Sequence, residues 1–292
     1  MNAPQIERLN GIGLGLRYPL AEALFANKPK ALRFVEVHPE NYLARGGRFE
    51  AMLEQAQEHW PVLSHGLSLG FGNLEAFDPD YTKKLRRFLN ENVKVPWHSE
   101  HLCFTQVAGQ HLHDLLPLPF TKEAIEVSVR RIKELQDALC LPVAIENVSY
   151  YADILPPAMP EIEFLLEVLD KSDALLLLDV NNVYVNSENH RFDPRQYIDQ
   201  IPPQRVAHMH MAGHWRRKNG SIVDTHAEAI CEDVYALFEH TMKRMGPKPV
   251  LLERDDNFPD FKELEAEVGR LHAIYQRATL PKSEEKPLRM QP

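Results

Sequence analysis

Almost every short, strand-like run in this sequence ends in a side chain that binds metal ions. His65 closes VLSH, His101 ends VPWHSEHL and Glu146 closes PVAIE. Asp179 lies at the end of LLLLDV, His210 near the end of RVAHMHM, and Glu253 closes PVLLE. Asp224 and His226 lie on the segment after the seventh run. Neutral imidazoles mixed with carboxylates suit iron, zinc or manganese. Such a set oversupplies a single ion, and a carboxylate such as Glu146 is able to bridge two cations. Two or three ions are therefore the economical expectation. Taken singly, each residue has a plainer explanation: a lone histidine at a strand end is commonly hydrogen-bonded, and a lone buried acid commonly has a basic partner. Recurrence at the same end of separate runs is what points to a metal centre. Buried carboxylates are costly unless paired or metal-bound, and few basic residues accompany these. Arg254 is placed to neutralise one neighbour, but not the set.

Parity sorts some of the other candidates. Successive strand residues point to opposite faces, so His98 and His101 should not both face inward. His208 and His210 share parity, with His208 one layer deeper. Glu36, His38, Glu40 and Asn41 accompany the second run, where they either shape the pocket or make ordinary ion pairs. His214, His111, His113 and His190 read as loop residues. The run Gly11-Ile12-Gly13-Leu14-Gly15 lacks the spacing of a phosphate-binding loop and lies within a strand-like run, so it is set aside as a nucleotide motif. Gly70-Phe71-Gly72 suits close approach of substrate or backbone. No GxSxG motif is present, and Cys103 reads as a buried structural thiol.

The elements that must position these residues alternate along the chain. The strand-like runs are Gly11–Leu16, Arg33–His38, Val62–His65, Val95–Leu102, Pro142–Glu146, Leu175–Val180, Arg205–Met211 and Pro249–Glu253. Near-continuous apolar character, as in Leu175–Leu178, is expected of strands buried on both faces. Helical periodicity separates most of them. It is clearest over Thr121–Leu139, where Ile125, Val129, Ile132, Leu135 and Leu139 form one apolar face. Further helices are expected over Phe49–His59, Asp80–Asn92, Glu161–Asp170, Glu228–Met245 and Phe261–Gln276. Alternation of this kind implies a parallel sheet with crossover helices. Eight strands in 292 residues fit an α/β (β/α)8 barrel of the TIM type, which takes ~250 residues; a doubly wound open sheet is the alternative. One domain is expected over residues 1–278, with a flexible tail over 279–292. Met211–His226 reads as a long, partly basic loop of the functional kind.

Composition narrows the class further. A net charge of −9 argues against a nucleic-acid partner. Cys103, Cys140 and Cys231 form neither a disulfide framework nor a zinc ribbon. The polar start of the chain lacks a signal-peptide core, and no apolar run approaches the ~20 residues of a membrane span. A cytoplasmic protein without a membrane partner is expected.

At these motifs the chain resembles the multinuclear non-heme iron-dependent oxidases (MNIO). The matching pieces are FVEVHPENY (34–42), HGLSLG (65–70), SEHLCF (99–104), LLPLPF (115–120), IENVSYY (145–151), DVNNVY (179–184), HMAGH (210–214), DTH (224–226) and LERDDNFP (252–259). Phe104 stands where the family often has Trp, and the chain after about Gln276 is not covered. The resemblance implies a TIM barrel with His65, His101, Glu146, Asp179, His210, Asp224, His226 and Glu253 as iron ligands. It favours His101 over His98 and His210 over His208. Asn182 is implied as a possible extra ligand, with Asn147, Glu36, Glu40, Asn41 and His214 as further ligands or supports. It also implies two or three irons of mixed valence, O2 as co-substrate and a cysteine-containing, ribosomally made precursor peptide. The cysteine would be modified as an iron-bound thiolate that loses a hydrogen, commonly with a separate leader-recognition protein as partner. The competing readings are a zinc hydrolase of the endonuclease IV type, a barrel sugar isomerase and a non-catalytic metal-binding scaffold.

Overall fold

The computed structural model describes residues 9–43, 46–107, 110–152 and 157–279. The tail expected over 279–292 lies outside the described residues, except for Thr279. Eight parallel strands form a closed barrel: β1 (Gly11–Gly15), β2 (Leu32–Val37), β3 (Val62–Gly66), β4 (His98–His101), β7 (Val143–Glu146), β8 (Leu175–Asp179), β9 (Val206–Met211) and β12 (Pro249–Leu252). Each pairs with its barrel neighbour in chain order, and β1 closes the ring on β12. Closure excludes the open-sheet alternative. Two antiparallel hairpins stand on loops at the C-terminal end of the barrel. One pairs β5 (Cys103–Val107) with β6 (Gln110–Pro117), and the other pairs β10 (His214–Arg216) with β11 (Ile222–Asp224).

The helices are α1 (Tyr18–Asn27), α2 (Glu40–Leu43), α3 (Arg48–Gln57), α4 (Pro79–Arg87), α5 (Lys122–Leu139), α6 (Glu161–Ser172), α7 (Val180–His190), α8 (Pro194–Gln200), α9 (Glu232–Met245) and α10 (Phe261–Thr279). Thr121 caps α5 by accepting from Ala124 N, which fixes where that helix starts. The outward residues of the strands and the inward faces of the helices form the main apolar core. Inside the barrel, Phe34, Leu63, Trp97, Ala144, Leu177 and Leu251 form a second apolar layer that plugs it from below. The glycines of β1 belong to this layer. A Cβ at Gly13 would overlap the Phe34 ring, so the GIGLG run leaves room for packing rather than for phosphate.

Three sequence expectations change here. The Met211–His226 segment contains the β10–β11 hairpin, because His214–Arg216 and Ile222–Asp224 satisfy each other's backbone groups. His111 and His113 lie on strand β6, and His190 ends helix α7, so none is a loop residue. The helix expected from Glu228 starts at Glu232.

Candidate metal centre

Strand ends deliver the chemistry to the barrel mouth. Nε2 of His65 and Nε2 of His101 lie 3.2 Å apart, and Glu146 Oε2 is 3.0 Å from the first and 3.2 Å from the second. Glu146, Asp179 and His210 bring ligating atoms within 4.8 Å of one another, as do Asp179, His226 and Glu253. His210 Nδ1 is 2.9 Å from Glu253 Oε2 and 3.9 Å from Glu146 Oε1. His226 Nε2 is 2.9 Å from Asp224 Oδ1 and 3.9 Å from Asp179 Oδ2. These groups share Glu146 and Asp179, so the eight residues singled out from the sequence meet in one continuous cluster.

The donor set fits bound cations. Glu146 Oε2, Asp179 Oδ2, Asn182 Oδ1, His210 Nδ1 and His226 Nε2 are buried without an aligned hydrogen-bond partner. Such orphans are costly unless something else satisfies them. Ligands ~2.1 Å from one metal ion stand about 3 to 3.5 Å from each other, which matches the His65–His101–Glu146 triangle. Charge gives the same answer. Glu36, Glu146, Asp179, Asp224, Glu253 and Asp255 crowd together, and Arg17 is the one fixed cation in ion-pair contact with them among the described residues.

Protonation follows from this crowding. Burial holds the His65 imidazole down to about 3 and that of His101 to about 4, the neutral form that binds metal. Burial, together with neighbouring Glu146, pushes the Asp179 carboxyl well up. For His210, burial works downward, but Glu36 and Glu253 overcome it and raise the ring well above its usual range. For Glu253, burial works upward, and His210 with His226 overcomes it.

Supporting residues hold these atoms in place. Asp179 ends β8 and caps α7 at once: its Oδ1 accepts from Asn182 N at 2.6 Å, leaving Oδ2 for the cluster. Asn147 locks the same junction, donating to Asp179 O and accepting from Asp179 N. Asn182 donates to Asn147 O and turns its Oδ1 inward. His214 sits outside the cluster and bonds Asn181, which in turn donates to Asp224 Oδ1 at 2.8 Å. Glu40 also lies outside it, holding the loop after β3 through Leu67 N and Ser68 Oγ and helix α4 through Tyr81 OH. Asn41 lies on α2 and makes no hydrogen bond to the cluster among the described residues. His98 faces away from the barrel interior towards Ser64 and Glu100, as parity requires. Cys103 is fully buried, and burial raises its thiol, so it is no ready nucleophile.

Arg254 does not serve as the neutralising cation, because its guanidinium pairs with Glu267. That role falls to Arg17, which reaches Asp255 at 2.7 Å and Glu253 at 3.2 Å from the turn after β1. Sequence reading missed Arg17 and Asp255. Position at a strand end was the available signal, since Arg17 follows β1 and Asp255 follows β12.

A closed barrel of eight parallel strands ringed by helices is the TIM-type architecture, and solved structures share it. The apo form of the 3-keto-D-glucoside 4-epimerase YcjR from E. coli superposes with a TM-score of 0.62 at 14% identity, covering 90% of this chain and 99% of the epimerase. An L-ribulose 3-epimerase gives 0.63 at 12% identity, covering 95% and 100%. At such identities the likeness is one of fold. Sequence narrows it: the chain belongs to the family of RiPP precursor modification enzymes MbnB/TglH/ChrH, whose model matches residues 11–276. This is a family of the multinuclear non-heme iron oxidase type, and membership makes the chain an enzyme that acts on a precursor peptide. A UPF0276 protein of Shewanella sediminis is 41% identical over 268 residues, 91% of this chain and 95% of that protein. One from Acinetobacter baylyi is 41% identical over 272 residues, 93% of each. No helix among the described residues is long and apolar enough to cross a membrane.

Proposed function

We propose that this chain is a multinuclear iron-dependent oxidase that uses O2 to modify a cysteine of a ribosomally made precursor peptide. The observation that carries the reading is the run of overlapping ligand groups joined through Glu146 and Asp179. His65, His101 and Glu146 would hold one ion. His210 and Glu253, with Glu146 and Asp179, would hold a second, and Asp224 and His226, with Asp179, a third. Iron supplies the electrons for O2 chemistry, which zinc does not.

The chain's own residues prepare the site. The apolar plug below keeps water from entering through the barrel, and Arg17 holds Glu253 and Asp255 in place. Large apolar side chains that are exposed stand around the mouth. Leu67 follows β3, Leu116 lies on the hairpin after β4, Tyr151 follows β7 and Trp215 lies on the hairpin after β9. Exposed apolar residues gathered on one face mark an interaction surface, and a rim of this breadth suits an extended peptide better than a sugar. A separate leader-recognition protein would bind the same peptide outside this mouth.

The test is metal content on protein purified without oxygen from iron-supplemented cells. A cysteine-bearing peptide encoded beside the gene is then added with reductant and O2. Two or more irons per chain and an O2-dependent mass change are expected. Stoichiometric zinc that survives iron supplementation, with nicking of abasic-site DNA, would replace the oxidase with a hydrolase.

A further inference from the structure

One layer beneath the ligand cluster, three buried side chains that the proposed ligand set does not use form a chain that ends on the ligand His210. Trp97 Nε1 donates to His208 Nδ1 at 3.1 Å. His208 Nε2 lies 3.3 Å from Glu36 Oε2, and Glu36 Oε1 lies 3.0 Å from His210 Nε2. The other nitrogen of His210 faces Glu253 and Glu146. All four residues are at most 2% exposed.

The polarity of this chain is set at its lower end. An indole N–H only donates, so His208 Nδ1 must present its lone pair. A neutral imidazole then carries its proton on Nε2, facing Glu36. His208 is thereby barred from binding metal through Nε2, although Glu36, His208 and His210 have ligand-like spacing. Glu36 stands at ion-pair distance from both rings without an aligned hydrogen bond to either; two lone pairs 3.0 Å apart would repel, so Nε2 of His210 carries a proton as well. Nδ1 is the nitrogen left free for a cation.

We infer that Trp97, His208 and Glu36 form a relay of fixed proton polarity that selects Nδ1 of His210 as the metal-binding atom, with Glu36 as its positioning residue. The inference rests on the proposed metal centre. Carboxylates behind metal-bound histidines orient the ring and raise its basicity; here the indole also dictates the tautomer.

The relay makes a reversal testable. In Glu36→Gln the amide offers one acceptor and one donor group. With Trp97 present, the amide oxygen must face His208, so the amide N–H faces His210. That moves the His210 proton to Nδ1 and blocks the metal. In Glu36→Gln/Trp97→Phe, His208 is free to take the other tautomer, the amide turns over, and Nδ1 of His210 is released.

Anaerobic iron(II) affinity, measured against a competing chelator, should therefore fall roughly 10- to 100-fold in E36Q. It should recover most of that loss in the double variant, even though the double variant unfolds at a lower temperature than E36Q. Wild-type affinity in E36Q, or a double variant as weak as E36Q, would overturn the relay. Should E36Q fail to fold, nitrogen-15 spectra of the histidines in the zinc(II)-loaded wild-type chain decide. A proton on Nε2 of both His208 and His210 supports the relay, and a proton on Nδ1 of either overturns it. A wild-type chain that takes up no iron overturns the metal centre and the relay together. A loaded wild type beside an equally loaded E36Q overturns the relay alone.

Discussion

Glu146 faces two ways at the barrel mouth. Its Oε2 meets His65 and His101, while its Oε1 turns toward His210. Asp224 meets the cluster from its edge, through His226. Substituting the shared carboxylate should therefore remove more metal than substituting the peripheral one. Metal analysis of E146Q and D224N should show the larger loss in E146Q, at least the ~10- to 100-fold drop in affinity typical of losing even a supporting partner. Equal losses would mean that Glu146 bridges nothing. A second residue-scale case needs no metal. Gly13 faces the Phe34 ring inside the barrel. Gly13→Ala should cost about 1–3 kcal/mol through overpacking, at ~2–4 °C of melting temperature per kcal/mol. Adding Phe34→Leu should return part of the loss.

Elements were legible to the extent that they had a period and an end. The buried strands and helix α5 follow their apolar patterns, and the ligands could be read because they terminate strands. Helix α7 was not legible: it starts at Val180 directly after Asp179, without a turn residue to mark the boundary. The β10–β11 hairpin was hidden because its strands are only three residues long, too short to show an alternation. Arg17 was hidden for another reason, since it meets Asp255 across 238 positions of chain and no local pattern records that contact. Helix packing has a legible consequence in pH. Glu161 begins α6 and accepts from Tyr197 OH on α8 at 3.0 Å. Burial pushes its carboxyl up to about 7 from 4.5. The folded chain keeps a proton that the unfolded chain releases, so this stabilisation is full below about 4.5 and lost as pH rises through 7. Thermal unfolding from about pH 5 to 8 should show wild type losing on the order of 1 kcal/mol more than Glu161→Gln across that range. Parallel profiles would mean that Glu161 is ionised in the fold.

The whole molecule divides its labour between two ends of one barrel. The lower end is packed with apolar side chains, and the upper end gathers the carboxylates, histidines and exposed apolar rim. That division assigns separate effects to separate parts. Trp215→Ala on the rim should raise KM for the peptide several-fold while leaving metal content unchanged, and metal loss with normal KM would refute its placement in peptide binding. The carboxylate cluster, by contrast, bears on stability. Without cations the carboxylates repel one another at the centre of the fold, with Arg17 and protonated histidines as partial compensation. A cation that binds the folded chain alone stabilises it by ~2.7 kcal/mol at a hundredfold excess over its dissociation constant. For a chain of this size that corresponds to a melting temperature lower by roughly 5–10 °C after chelation. Iron(II) should restore the loss, whereas magnesium should not, because imidazole ligands suit iron and all-oxygen sites suit magnesium. An unchanged melting temperature after complete metal removal would mean that protons and histidines already balance the carboxylates, and the charge argument for a metal centre would fail with it.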